Sequence, residues 1–369
     1  MLYLHIPFCH SKCIYCDFFS TPVASALYES YIDAIGEELT LRIGEIASPS
    51  SIYIGGGTPS ILPLELTEKL LRIVSNHVDI NRVREWTIEM NPEDVTPDRL
   101  DLYRSFGVNR ISMGVQSFHD KTLKRIGRRH TADQAIRAIE LLQKSGLNFS
   151  LDLIYGLPDE GMEEWSDSLA RMLSYEPAHF SAYLLSYEPG TALYKMTEQG
   201  KITETSEQLA VAMYEHLCHE AAARGYQHYE ISNFSKPGHK SYHNSRYWDG
   251  TPYLGIGCSA HSFTGGIRKF NPADIKLYIN RLSNHETVFE AEPETITEQL
   301  NDMIITALRT SDGLKISSLD RFPPHLVNEF MQNMRRQLAA GNLIGTSDRI
   351  VIPERLWLRA DAVMRELIL

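Results

Sequence analysis

Six short apolar runs punctuate the first part of the chain, at Leu2–Ile6, 51–54, 86–90, 110–115, 149–154 and 180–185. Each is rich in β-branched or aromatic residues and too short for a helix, so each predicts a strand. Stretches of helical period separate them. One opens at Thr131 with Gln134 three residues on, a capping-box signal, and stops before Gly146. Another places Leu209, Met213 and Leu217 on one face. Strands alternating with helices imply right-handed βαβ units and a parallel sheet buried on both faces. Six units are fewer than the eight of a closed barrel. The expected class is α/β, an open partial (β/α)6 TIM-like barrel, although a doubly wound sheet fits the periodicity equally well.

The remainder differs in kind. Residues 226–272 are rich in aromatics, histidine and glycine, without helical periodicity. Thr295 and Glu298 then form a second capping box ahead of Leu300, Met303, Ile304 and Leu308. Helical stretches at 324–339 and 353–367 flank a short strand at 349–352, which predicts a small helical, winged-helix-like domain. The expected division is a barrel at 1–225, a covering segment at 226–285 and the C-terminal domain at 286–369. In that last domain Arg335 and Arg336 are offset by Glu329, Asp348 and Asp361. Mixed charge there, and a net charge of -11 overall, argue against a nucleic-acid surface.

Of the 369 residues, 43% are hydrophobic and 22% charged, as in ordinary globular proteins. No stretch approaches the ~20 apolar residues of a membrane span, which leaves peripheral membrane contact at most. Polar residues of functional appearance begin at His5, so no signal peptide is expected and the cytoplasm is the default. Five cysteines in such a compartment point to metal or redox chemistry rather than disulfides.

Three of the five, Cys9, Cys13 and Cys16, are spaced Cys-x3-Cys-x2-Cys. Structural zinc takes four protein ligands, so zinc here would need His5, His10 or a distant residue such as Cys258. Three thiolates alone suit a 4Fe–4S cluster with one iron left for another ligand. Polar groups recur where the apolar runs end: Gly55, Gly56, Gly57 and Thr58 after Ile54, Glu89 and Asn91 around Met90, Gln116 after Val115, and Asp152 before Gly156. Each alone reads as a turn or a cap. Together they sit where parallel α/β folds bind ligands, at the carboxyl ends of strands.

The segments "YLHIPFC", "GGGTPS", "EMNPE", "SMGVQSF", "DLIYGLP" and "HNSRYW" carry a family resemblance. The chain resembles the radical S-adenosylmethionine (SAM) superfamily, in the group holding oxygen-independent coproporphyrinogen III oxidase and the heme chaperones of the HemW type. The resemblance implies that Cys9, Cys13 and Cys16 hold a 4Fe–4S cluster whose open iron is chelated by SAM. It assigns the three glycines to close backbone approach by the methionyl group, where a Cβ would collide. Thr58 and Glu89 would add hydrogen bonds, and Tyr15 would lie against the adenine. Tyr3, Gln116, Arg128 and Asp152 match positions that contact SAM in the porphyrin-oxidase relatives.

Within this group, an oxidase and a heme carrier separate on three features. The oxidase has a further cysteine two residues beyond the triplet, where this chain has Phe18. It also carries a substantial segment ahead of the cysteines, where this chain has eight residues. Third, His243 to Trp248 match the HNxxYW motif of the heme chaperones. In that motif His243 could ligate heme iron, Tyr247 and Trp248 could face the macrocycle, and Arg246 could pair with a propionate. The alternative is that His243 and Asn244 pin a loop while Tyr247 and Trp248 fill core. His228, His239, His261 and Cys258 are further candidate iron ligands, and Cys218 reads as core. The expectation is a heme chaperone passing heme to apo-hemoproteins such as membrane respiratory enzymes, dimeric by family resemblance. The alternative is a radical enzyme acting on a porphyrin, such as coproporphyrinogen III dehydrogenase.

Overall fold

A computed structural model describes residues 1–22, 25–346 and 348–369. The six expected strands are all present: β1 Leu2–Ile6, β2 Ser51–Gly56, β3 Glu85–Met90, β4 Arg110–Gln116, β5 Asn148–Tyr155 and β6 His179–Leu184. They pair in parallel and in simple succession, β1 beside β2 through to β6. A doubly wound sheet reverses its strand order at a switch point. This one does not, so the barrel reading holds.

The aromatic stretch after residue 225 supplies more sheet than its lack of periodicity suggested. β8 Asn233–Ser235 adds antiparallel to β6 and β7 Gln227–Glu230 antiparallel to β8, while β9 Leu254–Ile256 adds in parallel to β1. β7 and β9 end the order, and among the described residues no pairing joins them. The barrel is therefore open. Strands of three or four residues carry too few side chains for a period to register.

Burial on the sheet follows the pleat. Leu2, Leu4, Ile6, Ile52, Ile54, Ile88, Ile111, Met113, Val115, Leu151 and Leu153 all point to one face and are buried in a single core. Helices Tyr28–Arg42, Leu64–His77, Pro97–Ser105, Ala132–Ser145 and Met162–Ser174 connect the strands and contribute residues to the same core. The intervening positions are polar: Glu89 on β3, Arg110 and Ser112 on β4, Ser150 and Asp152 on β5, His179 and Ser181 on β6. All seven line one interior cavity. The sheet is buried on both faces as expected, for Arg110, Ser112, Ser150, His179 and Ser181 are buried too, but its inner face is polar. Parallel strands ordinarily read as unbroken apolar runs, and here alternate positions carry polar side chains that line the cavity.

Both capping boxes form, at Thr131/Gln134 and Thr295/Glu298. In the C-terminal region, helices Ile296–Leu308 and Pro324–Ala339 accompany a three-stranded sheet of Leu314–Lys315, Arg349–Val351 and Ile344–Gly345, matching the expected helical domain with a wing. A buried polar network fastens the β9 edge. Arg42 donates to Glu38 at 2.6 Å, to Ser262 at 3.0 Å and to the Gly255 carbonyl at 3.3 Å. Glu38 in turn accepts from Gly257 N at 2.8 Å and Tyr278 OH at 2.7 Å.

Candidate functional site

The cavity, about 540 Å³, opens where the strands end, the rim at which ligands bind in such folds. The cysteine loop leaves β1 at Ile6 and is tied down on several sides. Cys9 N donates to Thr21 O at 3.2 Å, Ile14 N to Ile126 O at 3.2 Å, and Leu193 N to Ile14 O at 2.8 Å. Cys9, Cys13 and Cys16 all line the cavity. Cys9 Sγ lies 3.5 Å from Thr58 Oγ1, Cys16 Sγ 3.9 Å from Ser20 Oγ, and Cys13 Sγ 3.9 Å from Arg128 Nη1. Burial raises the Cys9 and Cys16 thiols above their usual range, and the neighbouring hydroxyls oppose it.

The spread of the donors distinguishes one ion from a cluster. Two ligands on one zinc stand at most roughly 4.6 Å apart, twice a zinc–sulfur bond. Among the described residues, the set of three His, Cys, Asp or Glu ligands that converges within 4.8 Å is Cys218, His228 and Glu354, not the triplet. Cys258 is fully buried, and its Sγ donates to Pro272 O at 2.8 Å, so it is no fourth ligand. Three spread thiols with no such partner fit a multi-iron cluster.

The glycines are crowded, though not in the way expected. A Cβ on Gly56, which has φ +109°, would lie 2.5 Å from the His5 ring. On Gly57 it would lie 2.7 Å from Phe8 O, and on Gly55 2.7 Å from the Glu89 carboxyl. Each glycine therefore makes room for protein: β1 at the rim, and the carboxylate of Glu89. Gly56 N donates to Glu89 Oε2 at 3.1 Å and Tyr53 OH to Oε1 at 2.7 Å. Burial pushes the Glu89 carboxyl up to about 7.

Gln116 holds a left-handed backbone, φ 67°, where the pairing of β4 with β5 slips between Gly114 and Gln116. Such strain in a residue with a side chain persists only where the surroundings impose it, and it aims Gln116 at the cavity. Arg128 is anchored by Nη2, donating to Gly114 O at 2.7 Å and Asn91 Oδ1 at 2.8 Å, and its Nε has no partner. Asp152 accepts from Ser112 at 3.1 Å through Oδ2 and leaves Oδ1 unpaired. Burial raises its carboxyl as well.

Cys9, Cys13, Cys16, Tyr15, Gly56, Gly57, Thr58, Glu89, Gln116, Arg128 and Asp152 thus meet in one cavity. Tyr3, Gly55 and His243 do not line it. Tyr3 OH pairs with His5 Nδ1 at 2.9 Å. His243 is 1% exposed, with Nδ1 on Ser51 Oγ at 2.9 Å and Nε2 on Tyr247 OH at 3.2 Å. Both nitrogens are engaged, and burial pushes the ring down to about 3. In this arrangement the ring pins helix Tyr242–Trp248 against β2, the alternative read for it beside heme ligation.

A model of the radical SAM superfamily matches residues 3–172. Proteins named heme chaperone HemW are similar over most of their length. That of Lactococcus lactis is 35% identical over 86% of this chain and 83% of its own. For Bacillus subtilis the figures are 32%, 95% and 93%, and for Escherichia coli 38%, 70% and 69%. The chain belongs to the HemW family of the radical SAM superfamily. The coproporphyrinogen III oxidase HemN of Escherichia coli, a radical SAM enzyme, shares the fold at a TM-score of 0.85, with 22% identity over 100% of this chain and 89% of that one.

Radical SAM proteins carry a 4Fe–4S cluster and SAM, and the residues present fit both. Three thiols face one end of the cavity, while the unpaired Asp152 Oδ1 and Arg128 Nε are orphans of the kind a polar ligand satisfies. Sequence reasoning in this radical SAM chain missed the cavity floor of Arg110, Ser112, Ser150, His179 and Ser181. The signal was there: every second residue of the apolar runs is polar.

Proposed function

We propose that this protein is a heme chaperone, taking up heme and passing it to apo-hemoproteins, with the cluster and SAM as resident cofactors. The observation that carries this reading is the similarity to HemW heme chaperones across nearly the full length of several of them. When bound, SAM on the reduced cluster supplies one-electron cleavage of a C–S bond. Cys9, Cys13 and Cys16 would hold the cluster, Glu89 and Thr58 would accept from the ammonium of SAM, and Tyr15 would pack on its adenine. Arg128, Gln116 and Asp152 would hold its polar groups.

Heme is cargo, and its place is the cavity mouth. Phe18 is 69% exposed, Tyr183 41% and Leu184 39%, and all three line the opening. A flat apolar macrocycle covers such surface, while exposed Arg129 on the same rim offers a cation to a propionate. We further propose a cytoplasmic homodimer delivering to membrane respiratory enzymes, touching the membrane peripherally. Among the described residues no helix is long and apolar enough to cross a membrane.

The test is a heme titration of anaerobically reconstituted protein, followed by mixing with an apo-hemoprotein. Heme should give a Soret band that moves to the client's on mixing, and Phe18→Asp should weaken uptake by about tenfold. Conversion of coproporphyrinogen III to its divinyl product with dithionite and SAM would overturn the chaperone reading.

A further inference from the structure

Far from the cluster, three side chains from three separate elements converge. Cys218 lies on helix Glu207–Ala223, His228 on β7, and Glu354 opens the 3-10 turn Glu354–Arg359 of the C-terminal domain. Their ligand atoms all fall within 4.8 Å of one another. Cys218 Sγ lies 3.9 Å from His228 Nδ1, which lies 2.8 Å from Glu354 Oε1. Bonds of about 2.0 to 2.3 Å at tetrahedral angles would set such donors roughly 3.3 to 3.6 Å apart, so a small ion fits with shifts of a few tenths of an ångström.

The ring is already oriented for this. Nε2 sits 3.1 Å from Ile231 O, a carbonyl that takes the Nε2 proton and leaves Nδ1 to face the thiol and the carboxylate. Nδ1 is thereby left between the Cys218 thiol and the Glu354 carboxylate, the two other donors of the set. The ring is stacked 4.0 Å from Phe234 and met edge-on by Trp357 at 4.4 Å, so no macrocycle can reach it. An ion can, from the Glu354 side, whose side chain is 55% exposed.

We infer that Cys218, His228 and Glu354 bind a divalent cation of the zinc class, which clips the C-terminal domain to the barrel. Three protein ligands leave a fourth position to water on the exposed side. Binding releases the thiol proton to solvent and makes no other covalent change. Burial pushes the Cys218 thiol up to about 12, so without metal it stays neutral.

Cobalt(II) reports the site directly. The full-length chain carrying Cys9→Ser, Cys13→Ser and Cys16→Ser is titrated with cobalt, so that the cluster loop cannot compete. One equivalent should bind, with a thiolate-to-cobalt charge-transfer band and the intense visible bands of tetrahedral geometry. Cys218→Ser, nearly isosteric, should abolish the charge-transfer band, and His228→Gln should weaken cobalt binding about tenfold or more. In the cluster-bearing protein, zinc analysis should find one zinc per chain beyond the cluster iron, lost in Cys218→Ser. Absence of the charge-transfer band, or its survival in Cys218→Ser, would overturn the assignment and leave His228 and Glu354 as a hydrogen-bonded pair.

Discussion

Glu89 concentrates the demands on the site. Its carboxylate takes hydrogen bonds from Tyr53 and Gly56, yet burial holds it at about 7 against an ordinary 4.5. A carboxyl raised on folding binds more protons folded than unfolded. Its cost is absent below about 4.5 and grows as pH rises toward about 7. The melting temperature of SAM-free protein should therefore fall across that window, and Glu89→Gln should flatten the decline. SAM affinity should move the other way, rising through pH 7 as the charged form becomes available to an ammonium. Glu89→Gln should cost about tenfold or more in SAM affinity by calorimetry, as a charge-assisted hydrogen bond implies. Gly56→Ala meets both a positive φ and the His5 ring, and should destabilise by about 2–5 kcal/mol in chemical denaturation. The sequence marked Gly56 as a point of close approach. It did not disclose that the approaching group is His5, because that contact spans fifty residues and depends on β1 lying beside β2.

Among the elements, helix Tyr242–Trp248 shows what holds a motif in place. Glu85 on β3 accepts from Tyr242 N at 2.9 Å, His243 N at 2.8 Å and Ser241 Oγ at 3.2 Å, so one carboxylate caps the helix start. Glu85→Gln should speed hydrogen exchange at the amides of 242 and 243 and cost about 1–3 kcal/mol of stability. If those amides are unmoved, the capping account is wrong. Only Asn244 of the motif's first two residues reaches the cavity. The aromatic and histidine content suggested a macrocycle, whereas Tyr247 packs on Tyr253 and His243, a partnership between neighbours that composition cannot reveal. The barrel strands were more legible, since their lengths and ends follow from β-branched runs and turn residues. Their inner face was legible in principle and obscured in practice, because apolar content invites counting by run rather than by alternate position.

Across the whole molecule, two constructions hold the open barrel in shape. One edge is finished by β8 and β7, the other by β9 under the Arg42–Glu38 network, in which Arg42 is 4% exposed and Glu38 0%. Arg42→Ala would strand a buried carboxylate and should lower stability by about 3–5 kcal/mol, measured by thermal or urea unfolding. Cys13→Ser should abolish the brown chromophore of anaerobically reconstituted protein, and zinc in place of iron in the wild type would refute the cluster. Neither edge could be drawn from sequence, because Arg42 meets partners more than two hundred residues away.

The interior is polar and set inside a wall that is apolar on its outer side. Its lining suits a polar ligand. On the carrier reading the freight then rides outside, on the lip, and can change hands without the wall being breached. A client need only compete for Phe18 and its neighbours.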